Sequence, residues 1–148
     1  MGILSCLWEK IERRFSPICW QSKIIRRVVR STLAGETLAL ADGIDNAIFL
    51  ATLFSELTVG DCKHRGLPIV CVTDNHSLLD AVKSTKSVTE KRLCLEISNV
   101  KELIHSGTIQ HIMWSASKEQ LADSLTKKGT SALVLLRDFN EGVWQLKE

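Results

Sequence analysis

The stretch "LPIVCVTDN" (Leu67–Asn75) sets four apolar residues in a row, Ile69, Val70, Cys71 and Val72, before a polar stop at Thr73, Asp74 and Asn75. Three of the four are β-branched, and the run is too short to be a helix of its own. An uninterrupted run of this kind predicts a strand covered on both faces, hence a central, parallel one. In open α/β sheets ligands gather outside the carboxyl ends of parallel strands, which is where Asp74 falls. Two readings of Asp74 stand side by side. It caps the helix that follows, which Asp does well, or it serves metal or phosphate chemistry.

Downstream, a helix is predicted from His76 to Lys83, then a polar loop, "STKSVTE". A second helix from Glu90 to His105 carries Leu93, Ile97, Val100 and Ile104 at helical spacing and stops at Gly107. "TIQHIMWSA" (Thr108–Ala116) alternates as a strand, with Ile109, His111 and Met113 on one side and Gln110, Ile112 and Trp114 on the other. "SKEQLADSLTKKG" opens with a capping box from Ser117 to Gln120, predicting a helix that closes at Gly129. Leu133 to Phe139 reads as a last helix.

Upstream, Gly2–Trp8 and Phe15–Ser22 read as two strands of a hairpin, although the connector "EKIERR" lacks the Asn-Gly or Asp-Gly pair of a tight turn. Trp20 and Trp114, on predicted strands, are expected in the core. A basic patch, "KIIRRVVR", precedes a long helix from Thr32 to Leu57. That helix ends before the connector "VGDCKHRGLP". The order is hairpin, helix, strand, helix, helix, strand, helix. It predicts an α/β layered domain with a mixed sheet, antiparallel at the hairpin and parallel where helices intervene.

The chain has 148 residues, enough for one domain and hardly two; 45% are apolar and 24% charged, ordinary for a soluble globular protein. No apolar run reaches the roughly 20 residues of a membrane helix, so no membrane partner is expected. The N-terminus runs from apolar to charged, the reverse of a signal peptide. Five cysteines, an odd number without a C-x-x-C pair, fit reduced thiols in an intracellular protein, cytoplasmic or nuclear. Cys62 and His64 are too few ligands for zinc. A net charge of +2 does not by itself mark a nucleic-acid binder.

Three acids stand out. On a helical wheel Leu33, Leu40, Ile44, Ala47, Ala51 and Phe54 fall near Glu36, which puts a carboxylate in an apolar stripe. A charge there is costly unless paired, bound to a metal or open to a cleft. Against this, an acid in the first turn after an N-cap at Ser31 or Thr32 gains from the helix dipole. Asp123, flanked by Ala122 and Leu125, reads alone as a solvated helical acid. Taken together, Glu36, Asp74 and Asp123 come from an early helix, a strand end and a late helix. Separated carboxylates gathered by a fold are what a two-Mg²⁺ site needs.

The segments "SPICWQSK", "RVVRSTLAGETLAL", "VTDNHSL", "KRLCLEI" and "QLADSLTKKG", in that order and spacing, resemble the ribonuclease H domain at the end of the Pol polyprotein of copia-type retrotransposons. The resemblance covers Gly2 to Gly129. It implies a domain over residues 1–129 with a helical extension over 130–148, and a ribonuclease H-like mixed sheet of five strands flanked by helices. It implies a two-metal endonuclease, with Mg²⁺ or Mn²⁺, on the RNA strand of an RNA–DNA hybrid.

The family's acids are an aspartate on the first strand, a glutamate on the first helix, and aspartates after the fourth strand and on the last helix. The last three match Glu36, Asp74 and Asp123. No aspartate precedes Asp42 in this chain, so the first, central strand and its aspartate are expected to be missing. Glu9 and Glu12 lie in the hairpin connector and are no obvious replacement. His76 stands where relatives often carry glutamine. The resemblance therefore implies weak or absent metal binding and impaired or lost activity. An alternative is a non-catalytic module for nucleic acid or protein. Lys23, Arg26, Arg27 and Arg30 would bind phosphates in a hybrid-binding domain; a solvated connector accounts for them as well. The strand left without its neighbour invites a strand from a partner or a second copy.

Overall fold

The computed structural model describes residues 1–9, 11–25, 28–60, 67–85, 90–126 and 132–144. It is a mixed α/β structure in which the strands form two separate two-stranded sheets, one antiparallel and one parallel. The chain divides into two compact units: residues 1–28 with 115–148, and residues 29–114.

The first unit starts with the hairpin of β1 (Gly2–Trp8) and β2 (Phe15–Ser22), paired antiparallel with a bulge at Ser5/Cys6. Its connector shows how a hairpin closes without a glycine turn. The Glu9 carboxylate accepts from the backbone N–H groups of Ile11 (3.0 Å) and Glu12 (2.7 Å), and Glu9 N–H donates to the Arg14 carbonyl at 2.8 Å. Arg13 takes a positive φ of 55°, a conformation usually left to Gly or Asn. Glu12 pairs with Arg14 at 2.6 Å. Both glutamates of the connector thus serve the turn.

Along β2 the buried or half-buried residues are Phe15, Pro17, Cys19 and Gln21, and the exposed ones Ser16, Ile18, Trp20 and Ser22. Trp20, expected in the core, is instead 62% exposed, because the pleat turns even positions outward. Phe15 packs against Phe139 and Trp144, with ring centroids 5.7 and 6.3 Å apart. Phe139 lies on α4 (Leu133–Glu141). Behind that helix, Trp144 N–H donates to the Arg13 carbonyl (3.0 Å), and Phe15 N–H donates to the Gly142 carbonyl (2.9 Å).

Over the described part of the helix predicted at Ser117–Gly129 there are two 3-10 turns, Ser117–Glu119 and Leu121–Leu125; Lys127–Gly129 lie outside the described residues. Their N-cap positions are Ala116 and Gln120, with no side-chain cap bond at either. Leu121, 2% exposed, anchors the second turn. Gly2 of β1 packs so close to it that an added Cβ would lie 2.6 Å from the Ala122 carbonyl oxygen.

The second unit begins with α1 (Thr32–Val59), a 28-residue helix. Ser31 caps it, its Oγ accepting from Ala34 N–H at 3.1 Å, and Gly60 closes it with φ +74°. β3 (Ile69–Thr73) and β4 (Ile109–Trp114) pair in parallel, joined through α2 (His76–Lys83) and α3 (Lys91–His105). The α3 face read from the sequence holds: Leu93, Ile97 and Val100 are buried, and Ile104 packs against them. α1 packs on β3, α2 and α3, contributing Ala34 and Ile44 to the core.

Two expectations change here. Ile69–Val72 is only half-buried rather than covered on both faces, and among the described residues β3 pairs with β4 alone. And although Glu36, Asp42 and Asp45 break every strictly apolar run, α1 is by length and composition long and apolar enough to cross a membrane. Core helices of soluble proteins can pass the same test.

Candidate acidic site at the end of the parallel strands

Thr73 and Trp114 are register partners at the carboxyl ends of β3 and β4. Asp74 follows at once. Buried Thr73 accepts at Oγ1 from Asn75 N–H (3.2 Å) and so turns the chain out of the strand. Asn75 is the N-cap of α2, its Oδ1 accepting from Leu78 N–H at 3.0 Å. The cap is therefore Asn75 and not Asp74.

The Trp114 indole Nε1–H donates to the Asp74 carbonyl at 3.2 Å, and the His76 ring stacks on the indole with centroids 4.4 Å apart and planes 22° from parallel. Trp114 was expected in the core; it is 39% exposed because it is the last residue of its strand and turns toward this edge. Asp74, His76 and Trp114 thus form one cluster, with the Asp74 backbone held on the indole side. The sequence offered His76 only as a departure from relatives. The Trp114 contact had no local signal, since it spans 40 positions.

Glu36 is the fifth residue of α1, past the first turn, which holds no acid. The helix-dipole explanation for Glu36 therefore fails. The buried face of α1 is set by Ala34, Thr37, Ile44 and Ser55. Its centre lies about 100° round the axis from Glu36. Phe54, aligned with Glu36 on the wheel, is 36% exposed. Glu36 is half-buried, at the margin of the buried stripe rather than within it. Glu36 and Asp74 belong to the same unit, and the helix bearing one packs on the strand that ends at the other.

Asp123 is half-buried in the second 3-10 turn of the other unit, and its carbonyl accepts from Thr126 N–H at 3.1 Å. Lys23 and Arg30 are exposed; Arg26, Arg27, Cys62 and His64 lie outside the described residues.

Among the described residues no three His, Cys, Asp or Glu side chains gather into a group able to hold a metal ion. Mg²⁺ asks for near-octahedral oxygen coordination, and a two-ion centre needs several carboxylates on it. No such set of donors is assembled from the described side chains. Half-buried thiols lie in both sheets, Cys6 on β1 and Cys71 on β3. Burial pushes Cys71 up to about 12 and Cys6 up to about 11, so neither is a nucleophile near neutral pH. Comparison with known protein families, with curated proteins and with solved structures finds no match.

Proposed function

We propose that the chain is a ribonuclease H-like domain of retrotransposon type that binds RNA–DNA hybrid and, with the 148 residues it has, does not cut it. The observation that carries this reading is the pair Glu36 and Asp74. The helix bearing Glu36 packs on the strand that delivers Asp74 to a ligand-type position. The motif series from "SPICWQSK" to "QLADSLTKKG" supports the same reading. The 148 residues carry three of the four family acids, and the loss of cleavage is proposed of this stretch alone. Where catalysis rests on positioning two ions and a water, one missing ligand is a severe defect.

Affinity would come from phosphate contacts, with exposed Lys23 and Arg30 as candidates. The test is a labelled hybrid. Expected are no hydrolysis in Mg²⁺ or Mn²⁺ and binding that survives EDTA. The affinity should fall with salt and drop further in a Lys23→Ala, Arg30→Ala variant. Robust cleavage abolished by Glu36→Gln would overturn the loss of activity. Absence of hybrid binding at low salt would overturn the reading as a whole.

A further inference from the structure

The pleat that turns Phe15, Pro17, Cys19 and Gln21 inward leaves Ser16, Ile18, Trp20 and Ser22 on the outer face of the hairpin. Trp20 is 62% exposed there and Ile18 44%. Leu4 is the register partner of Trp20, so the two side chains stand next to each other on that face. The result is an indole between two aliphatic side chains, bounded along β2 by the hydroxyls of Ser16 and Ser22. Neither strand holds a charged residue. The charge lies beyond their ends. Residues 1–28 carry six basic side chains and two acidic ones. Both acids are engaged in the connector: the Glu9 carboxylate accepts from two backbone N–H groups, and Glu12 pairs with Arg14. Arg13 is exposed before the start of β2 and Lys23 just past its end, with about 26 Å of strand between them.

We propose that this face binds single-stranded nucleic acid, with an unpaired base stacked on the Trp20 indole and the backbone phosphates drawn to the basic side chains at the two ends of β2. Charge complementarity chooses the occupant. A strand of nucleic acid brings negative charge and flat apolar rings together, and the hairpin offers the counterpart of both. A protein covering the same indole would have to supply acids alone at its rim. A bilayer rewards apolar area, and here that area is one indole and two aliphatic chains between serines. The strand is single because a base in a duplex already stacks on its neighbours, whereas an unpaired base has a face free for an aromatic side chain. The inference goes beyond the hybrid reading and stands without it, since Glu36 and Asp74 belong to the other unit.

The test titrates the full chain with fluorescein-labelled RNA and DNA strands of about 12 nucleotides, within the span that one single-strand-binding fold covers. Circular dichroism shows that each variant stays folded. Anisotropy should report binding of one or both strands, and the comparison names the favoured sugar. Trp20→Ala should weaken binding by about 5- to 100-fold, the range for the loss of one stacked base. Trp20→Phe should retain most of the affinity while losing the quenching of tryptophan emission that accompanies binding. Lys23→Ala should reduce the slope of log affinity against log salt by about 0.7. Ile11→Ala, 90% exposed but in the connector, should bind as wild type. A strand built of abasic sites should bind wild type no better than it binds Trp20→Ala. Abasic and ordinary strands bound equally by wild type would overturn the proposal, and so would a Trp20→Ala variant that binds as wild type. A blunt RNA–DNA hybrid separates the two readings. Hybrid binding without single-strand binding at low salt refutes this inference alone, and the converse refutes the hybrid reading alone. Vesicle flotation or self-association that is lost in Trp20→Ala, with no strand bound, would assign the face to a membrane or a protein and equally overturn it.

Discussion

Ile44 is the residue that ties α1 to its unit, and Ile44→Ala measures how tightly. The side chain is 1% exposed and sits in one cluster with Leu78 and Leu79 of α2, Ile97 and Val100 of α3, and Ile109 of β4. The substitution removes three carbons. At about 0.8 kcal/mol for each buried methyl or methylene, the lost transfer energy is about 2.4 kcal/mol. The cavity adds to this, because neighbours on three elements cannot all collapse into it. The expected total is about 3–4 kcal/mol, inside the usual range for Ile→Ala. A domain of this size is stable by only about 5–15 kcal/mol, so the variant loses a large share. Urea unfolding followed at 222 nm and by tryptophan fluorescence reads the change. Val59→Ala, on the same helix but 62% exposed, should shift the free energy by less than about 0.5 kcal/mol. A cost below about 1 kcal/mol for Ile44→Ala would refute the packing of α1 on its unit's core.

The two caps offer a second check. Ser31→Ala and Asn75→Ala each remove a side-chain acceptor at a helix start and should cost about 1 kcal/mol in urea unfolding. If Asp74→Ala cost as much as Asn75→Ala, the assignment of the cap to Asn75 would be wrong. A third concerns pH. In the folded state burial holds Cys6 and Cys71 at about 11 and about 12, against 9.0 for an ordinary thiol. Above pH 9 the unfolded chain therefore releases thiol protons that the folded chain keeps, so stability is full below that pH and falls as pH rises through and beyond it. Urea midpoints should drop between about pH 8 and about pH 10, and the drop should be smaller in Cys71→Ala. The fourth is Trp8→Phe. Among the described residues the Trp8 Nε1–H is a buried donor with no partner. Removing it relieves a penalty of about 1–3 kcal/mol, which offsets the lost ring area. The variant should unfold within about 1 kcal/mol of wild type, and a loss of about 3 kcal/mol would show that the donor is satisfied after all.

Local patterning carried most of the elements. The hairpin strands, α2 and the buried face of α3 were readable because a period of two or 3.6 is written into neighbouring residues. What failed depended on distant partners. The run Ile69–Val72 predicts a strand covered on both faces, but cover is supplied by the elements packed on those faces, and the run is only half-buried. The Ser117–Gln120 pattern fits a capping box, yet two 3-10 turns form there, the second anchored by Leu121 and packed against Gly2. Phe15 and Trp144 meet across most of the chain, so nothing near either residue announces the contact. At the candidate site, Asp74 was visible as a strand-end acid. The displacement of Glu36 from the buried stripe was not, because a wheel marks which residues share a side but not which side faces the core. α1 has apolar residues on two sides, and only packing tells them apart.

The first unit is built from two stretches separated in sequence, residues 1–28 and 115–148, while the second is one continuous stretch. A lone two-stranded ribbon is at best marginal in water. Phe139 and Trp144, the rings that bury Phe15, are translated only after residues 29–114. Those residues can therefore collapse first, while the hairpin waits for the rings that complete its core.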